Sequence, residues 1–214
     1  MIRRKIHEKI FIHGSGQKAD SWEQTIAFME DKDILKPELS QLLQGQTASY
    51  AALTSSFVAY CEAAASDRLD LCGLSLGGML ALQFTLDYPD KVRSLILIAT
   101  PHKIPKLLFA VQKLLFHCLP STAFQTMAFD KKNTFALAKT MKRIDYRHAL
   151  FKIKCPVLIV CGAKDKANLL SAFFFVRHIK HAEIKIVKDC SHVVNEEQPK
   201  RLAEIVNAFY DTIR

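Results

Sequence analysis

The chain alternates short, largely apolar segments with longer amphipathic ones, and this alternation limits the folds open to it more than any other feature. Residues 92–99 and 155–161 are apolar and rich in β-branched side chains, which is typical of strands covered by helices on both faces. Elsewhere, as in residues 49–65 and 198–213, apolar side chains recur at helical spacing. The sequence therefore predicts an α/β fold with a doubly wound, mostly parallel sheet.

The predicted elements follow one another in strand and helix order along most of the chain. Strands are expected at residues 9–13, 33–39, 69–73, 92–99, 155–161 and 182–187. Helices are expected at residues 21–29, 49–65, 76–88 and 198–213. Ser21 and Gln24 have the S-x-x-Q spacing of a capping box at the start of the first helix. Pro89 is expected to end the third, because the residue before a proline disfavours helical backbone.

This order lapses between residues 102 and 150. The segment contains two stretches with helical spacing, 107–119 and 134–141, and no convincing strand. We expect a small helical cap inserted into one α/β domain formed by residues 1–101 and 151–214. The insertion follows the carboxyl end of a predicted strand, which is where sites in such sheets lie. Nine basic and two acidic residues give it +7 of the chain's net charge of +9, which would favour substrates that carry a carboxylate or phosphate.

Composition excludes several classes of protein. Half of the 214 residues are hydrophobic, and Gly and Pro number only 7 each, so the chain is neither disordered nor of low complexity. Its apolar runs fall far short of the roughly 20 residues of a membrane-spanning helix. No signal peptide is recognisable, so a cytoplasmic protein is expected.

The spacing of the cysteines and the net charge indicate which metals and binding partners to expect. The six cysteines form no C-x-x-C pair and no zinc spacing, so we expect reduced thiols and no metal. A basic excess in a chain of this size more often serves solubility than binding, so no nucleic-acid partner is expected. The oligomeric state stays open.

The motif Gly73-Leu-Ser-Leu-Gly77 has the pattern G-x-S-x-G and lies between a predicted strand and a predicted helix. In that context the turn is so tight that only small neighbours fit, and the serine hydroxyl is raised to the top of the sheet. Ser75 is therefore the candidate nucleophile.

A serine hydroxyl needs a base, and the base needs an acid to orient it. Asp165 and His192 each follow a predicted strand, at the edge of the sheet where Ser75 must lie. We expect Asp165 to be the acid and His192 the base, with Asp189 as an alternative acid. An isolated aspartate after a strand is more often a turn or helix cap. His102 is expected near the entrance of the site.

Acyl transfer also needs backbone N–H groups that stabilise the developing oxyanion, and losing one raises the barrier by roughly 3 kcal/mol. Leu76, which follows the nucleophile, is one expected donor. The glycine-flanked segment His13-Gly14-Ser15-Gly16 follows the first strand, and Ser15 is the other expected donor.

From residue 11 to residue 209 the chain resembles the α/β-hydrolase fold, in particular its esterase-like branch with His-Gly in the oxyanion loop. Ser75, Asp165 and His192 match the triad positions of that family, and Trp22 and Pro199 also fit. The chain departs from the family in two places. Few residues precede the first strand, so the antiparallel strands that usually begin this fold should be largely missing. The loop at residues 37–46 lacks the family's usual Gly-His-Gly pattern.

These features predict a serine hydrolase that cleaves small carboxylic esters or thioesters through an acyl-enzyme, with no cofactor. Its partner would be a small-molecule acyl substrate. Two alternatives stay open: the same triad used for acyl transfer or a lyase step, and a ligand-binding protein of this fold with little turnover. Epoxide hydrolase and dehalogenase activities are disfavoured, because the corresponding families have aspartate where this chain has Ser75.

Overall fold

A computed structural model of the chain describes residues 7–104, 120–124 and 126–213. Its strands are β1 (Glu8–Ile12), β2 (Ile34–Leu35), β3 (Leu69–Leu74), β4 (Val92–Ile98), β5 (Val157–Gly162) and β6 (Ala182–Val187). They form one sheet in the order β2-β1-β3-β4-β5-β6, with every neighbouring pair parallel. The predicted parallel sheet is confirmed, and over the described ranges it contains no antiparallel strand.

The α-helices of the described residues are α1 (Glu23–Ala27), α2 (Leu39–Leu42), α3 (Tyr50–Glu62), α4 (Leu76–Asp87), α5 (Lys131–Met141), α6 (Lys166–His178), α7 (Val194–Glu197) and α8 (Pro199–Thr212). Short 3-10 helices lie at Ala19–Trp22, Pro89–Lys91, Ser121–Phe124 and Leu150–Lys152. The predicted helices α3, α4 and α8 are confirmed to within a few residues. Helix α6 was not predicted.

Alternate residues of the strands face two separate hydrophobic cores. Leu71 of β3 lies in the core formed with α3, α4 and α6, whereas the neighbouring Cys72 lies in the core formed with α1 and α8. Both residues are fully buried. Burial on both faces favours apolar side chains at successive positions, which explains the apolar runs of the sequence.

The prediction of a capping box at Ser21 and Gln24 is wrong. Ser21 lies inside the 3-10 helix Ala19–Trp22, and the N-cap of α1 is Trp22, which makes no side-chain cap bond. The Ser21 hydroxyl instead accepts a hydrogen bond from Asn195 Nδ2 at 3.3 Å. A long-range partner has therefore replaced the local one that the spacing suggested.

The described part of the insertion packs against the core. Helix α5 confirms the helix expected at 134–141, and the helix expected at 107–119 lies outside the described residues. Thr140 Oγ1 accepts a hydrogen bond from the Tyr50 backbone N–H at 2.8 Å, so α5 abuts the first turn of α3. Lys103 and Asp145 form an isolated antiparallel bridge where the insertion leaves and rejoins the core.

In the described part of the chain, no helix is long and apolar enough to cross a bilayer. Five of the six cysteines lie there, all as buried free thiols, and Cys118 lies outside it. The same residues contain no group of three or more potential metal ligands.

Candidate active site

Ser75 forms the turn between β3 and α4, and close packing of glycines enforces this turn. Its backbone has φ 54° and ψ −110°, a strained conformation for a residue with a side chain. A Cβ on Gly73 would lie 2.3 Å from the carbonyl of Gly77, and one on Gly78 would lie 2.0 Å from Thr100 Oγ1. Only glycine fits at these positions, and Ser75 itself stays partly accessible at the carboxyl end of the sheet.

The loop that carries Ser15 lies against the start of α4. A Cβ on Gly77 would lie 2.1 Å from the carbonyl oxygen of Ile12 and 2.7 Å from that of His13. Leu76 is the first residue of α4, so its N–H has no acceptor within the helix. The two expected oxyanion donors therefore belong to segments in direct contact.

His13 is fully buried at the base of this loop. Its Nε2 accepts the Leu39 N–H at 3.2 Å, and its Nδ1 lies 2.8 Å from the carbonyl oxygen of Gly14. Burial lowers the pKa of His13, although the Gly14 carbonyl and the Glu38 carboxylate act to raise it. Its Nε2 also lies 3.3 Å from Glu38 Oε1, so contacts on both ring nitrogens fix the path of the loop.

Gln17 connects this loop to the segment that follows His192. Its Oε1 accepts the Gly14 N–H at 3.2 Å, and its Nε2 donates to Asn195 Oδ1 at 3.0 Å and to Glu196 Oε1 at 2.6 Å. Sequence analysis missed Gln17 and Asn195, since neither belongs to a local motif.

The structure brings Asp165 and His192 together. The distance from Asp165 Oδ2 to His192 Nδ1 is 2.7 Å. The Asp165 side chain is almost fully buried, and that of His192 is partly exposed. Burial acts to raise the pKa of Asp165, but hydrogen bonds from His192 and Asn168 outweigh it, so this pKa lies below its ordinary value.

The loops after β5 and β6 are held against each other. A Cβ on Gly162 would lie 2.0 Å from the carbonyl oxygen of Ser191, and the Lys164 N–H donates to the Cys190 carbonyl at 2.9 Å. Asp189, the alternative acid, is exposed and forms an ion pair with Lys164 at 3.4 Å. The geometry therefore pairs His192 with Asp165 rather than with Asp189.

Asn168 is a further polar residue at this site that sequence analysis missed. Its Nδ2 donates to both carboxylate oxygens of Asp165, at 3.1 and 2.8 Å, and lies 3.3 Å from His192 Nδ1. Its backbone N–H donates to Asp165 Oδ1 at 3.2 Å, so Asp165 is also the N-cap of α6. The position of Asn168, three residues after an N-cap, was the only signal available.

Ser75 lies at the same edge of the sheet as these residues, but over the described residues no hydrogen bond joins its side chain to His192. Hydrogen bonds between a nucleophile and its base are often formed only in the complex with substrate. Burial raises the pKa of Cys72, beside the turn, so that thiol is a poor nucleophile.

His102 packs on α6. It is buried, with Nδ1 2.8 Å from Ser171 Oγ and its ring stacked on Phe174 at 4.4 Å. Its position near the entrance of the site stays a prediction.

Residues 10–205 match the sequence profile of the alpha/beta hydrolase family. The chain belongs to this family. A 3-oxoadipate enol-lactonase from Acinetobacter baylyi is 23% identical over 235 residues, which cover 93% of this chain and 86% of that protein.

Solved structures of alpha/beta hydrolases share the fold at low identity. The enol-lactonase from Burkholderia xenovorans has a TM-score of 0.75 at 18% identity and covers 98% of this chain and 93% of its own. A thermophilic esterase from Thermogutta terrifontis has a TM-score of 0.74 at 16% identity and covers 98% and 91%. These relatives are hydrolases, and the fold predicted from the sequence is the fold they share.

Proposed function

We propose that this chain is a serine hydrolase that cleaves small carboxylic esters or thioesters through an acyl-enzyme. The observation that carries the proposal is the 2.7 Å contact between His192 Nδ1 and Asp165 Oδ2, at the edge of the sheet that holds Ser75 in a strained turn. Backbone strain of this kind concentrates at functional sites. The names of the relatives, enol-lactonase and esterase, support cleavage of an ester bond.

In the first half of the reaction, Ser75 Oγ attacks the carbonyl carbon of the substrate while its proton passes to His192 Nε2. Asp165 accepts the hydrogen bond from His192 Nδ1–H, which keeps Nε2 free to act as the base. The carbonyl π bond opens to an oxyanion. When it re-forms, the bond to the alcohol or thiol breaks, and the leaving group takes the proton from His192.

In the second half, His192 removes a proton from water, which attacks the acyl carbon. The bond to Ser75 Oγ breaks, the serine regains its proton and the carboxylic acid departs. No cofactor enters either half.

The oxyanion of both intermediates would be stabilised by the N–H groups of Ser15 and Leu76. Support for this assignment comes from the close approach of Gly77 to the carbonyl oxygens of Ile12 and His13, which brings the two donor segments into contact. Fixed donors of this kind need no reorganisation as charge develops on the oxygen.

A fluorophosphonate probe and a series of p-nitrophenyl esters from acetate to octanoate test the proposal. We expect the probe to label Ser75, and Ser75→Ala to lose labelling and lower turnover by at least about a thousandfold. Ser55→Ala, at an exposed position of α3, is the matched control and should retain both.

Labelling without hydrolysis of any ester or thioester would overturn the hydrolase assignment and favour acyl transfer, a lyase step or ligand binding. Activity in Ser75→Ala at the level of the wild type would reject Ser75 as the nucleophile.

A further inference from the structure

Helix α6 buries one face against the sheet and leaves apolar side chains exposed on another. Phe175 is fully buried in the core, whereas Leu170 is 75% exposed and Phe173 54% exposed. Phe151 is 78% exposed and lies in the 3-10 helix Leu150–Lys152, which packs against α6. We refer to Phe151, Leu170 and Phe173 as the α6 patch. Exposing three large apolar side chains to water is costly, so a patch of this kind indicates a surface that is covered in use.

Basic side chains border the α6 patch. Lys166, Leu170, Phe173 and Arg177 follow one another at intervals of four, three and four residues, which brings them onto one face of the helix. The two apolar side chains thus lie between a lysine and an arginine. Lys152 immediately follows Phe151 and is also exposed.

The charge of this region is strongly one-sided. Between residues 146 and 182 the sequence contains seven lysines and arginines and a single carboxylate, Asp165. That carboxylate is engaged by His192 and Asn168 and is buried.

Three of the seven cations form ion pairs with carboxylates outside this stretch: Arg147 with Asp145, Lys154 with Asp90 and Lys164 with Asp189. The other four, Lys152, Lys166, Arg177 and Lys180, have no ion-pair partner in the described part of the chain. The first three carry the positive charge that borders the patch.

We propose that the α6 patch is a peripheral contact with an anionic phospholipid bilayer. Such a surface offers an apolar interior to Phe151, Leu170 and Phe173 and negative headgroups to Lys152, Lys166 and Arg177 at the same time. Amphipathic helices with aromatic and leucine side chains on one face and cations around it bind in this way, without crossing the membrane. The complementary charge favours a lipid surface over a second copy of this chain, which would bring two positive rims together.

The α6 patch does not depend on the proposed hydrolase activity, because none of its residues belongs to the candidate triad. Helix α6 begins directly after Asp165, so the contact would hold the candidate active site near the membrane surface.

Vesicle sedimentation tests the proposal with the full chain. Vesicles of phosphatidylcholine and phosphatidylglycerol in equal parts are compared with pure phosphatidylcholine at about 0.05 and 0.5 M salt. We expect the partition coefficient of the wild type to be at least about tenfold higher on anionic vesicles at low salt, and to fall as salt screens the headgroups.

Two double variants divide the contact into its parts. Phe151→Ser/Phe173→Ser and Lys152→Glu/Arg177→Glu should each lower the partition on anionic vesicles by at least about tenfold. Phe28→Ser is the matched control, because Phe28 is 51% exposed but follows α1 on the opposite face of the sheet. It should bind within about twofold of the wild type, since a single exposed side chain outside the patch does not contribute.

A single-site probe, Phe173→Trp, gives a readout that does not depend on loss of binding: its fluorescence should shift to the blue on anionic vesicles. Circular dichroism confirms that each variant is folded. The proposal is overturned if the wild type does not bind anionic vesicles at low salt, or if Phe28→Ser loses as much binding as the double variants. It is also overturned if sedimentation equilibrium shows a dimer that Phe151→Ser/Phe173→Ser dissociates, since a second copy would then cover the patch.

Discussion

Replacing Gly77 with alanine places a methyl group between the start of α4 and the end of β1. The new Cβ would lie 2.1 Å from the Ile12 carbonyl oxygen, whereas separations below 3.0 Å are essentially never observed. The two segments must therefore separate by about 0.9 Å, the difference between these distances. The atoms nearest to this Cβ belong to the backbone of Ile12 and His13, so no side chain can rotate away to relieve the contact.

The expected cost has a structural and a catalytic part. Overpacking of this kind costs about 1–3 kcal/mol, and Gly77 lies in the first turn of α4, where helix propensity recovers little of it, so we expect a loss of about that size in the free energy of unfolding. The displacement also moves the Ser15 loop away from Leu76. Misplacement by about 1 Å can lower turnover about a hundredfold, so kcat should fall by roughly that factor while KM changes little.

The assay compares urea unfolding and p-nitrophenyl acetate hydrolysis in Gly77→Ala and in the wild type. Gly16→Ala is the control for stability, because a Cβ there meets no heavy atom within 4 Å. It should unfold within about 0.5 kcal/mol of the wild type. Unchanged stability in Gly77→Ala would refute the close contact between β1 and α4. Reduced stability with an unchanged kcat would retain the contact and reject Ser15 as an oxyanion donor.

Three further predictions concern groups in or near the site. Asn168→Ala removes a hydrogen bond to a buried carboxylate, so kcat/KM should fall about tenfold while fluorophosphonate still labels the serine. An unchanged kcat/KM would deny Asn168 a positioning role. Because the folded-state pKa of Asp165 is lowered, its contribution to stability is present above about pH 4 and lost as pH falls through that pKa. Urea unfolding should therefore show the advantage of wild type over Asp165→Asn shrinking from pH 6 to pH 3, and a constant difference would contradict the assignment. Burial raises the pKa of Cys155 and Cys190 to about 11, so iodoacetamide at neutral pH should label neither in the folded protein, and rapid labelling mapped by mass spectrometry would contradict their burial.

The sequence predicted most of the sheet because burial on both faces leaves a strand few alternatives to apolar residues. Helix α6 was not predicted, for a related reason. Its sequence around Phe173, Phe174 and Phe175 has apolar side chains on nearly every face, so no helical period stands out. Leu170 and Phe173 are apolar but lie on the exposed face of that helix, and this obscures the amphipathic pattern in the sequence.

Some residues of the candidate site could likewise be predicted from the sequence, and others could not. Ser75 and His192 could be placed from the sequence, because the tight turn and the strand ends leave a local pattern. Gln17 and Asn195 could not, since their hydrogen bond joins residues 178 positions apart and depends on side-chain directions that only the folded chain defines.

Asp165 shows that the structural and the functional interpretation of one residue need not exclude each other. An isolated aspartate after a strand is more often a turn or a helix cap, and Asp165, predicted here as the acid, is also the N-cap of α6. The same carboxylate accepts a bond from His192 with its other oxygen. Capping holds one oxygen on the Asn168 N–H, and the Asn168 side chain helps to direct the second oxygen at the imidazole. The start of α6 therefore sets the orientation of the candidate base, and a change that shifts this first turn should alter activity before it alters the fold.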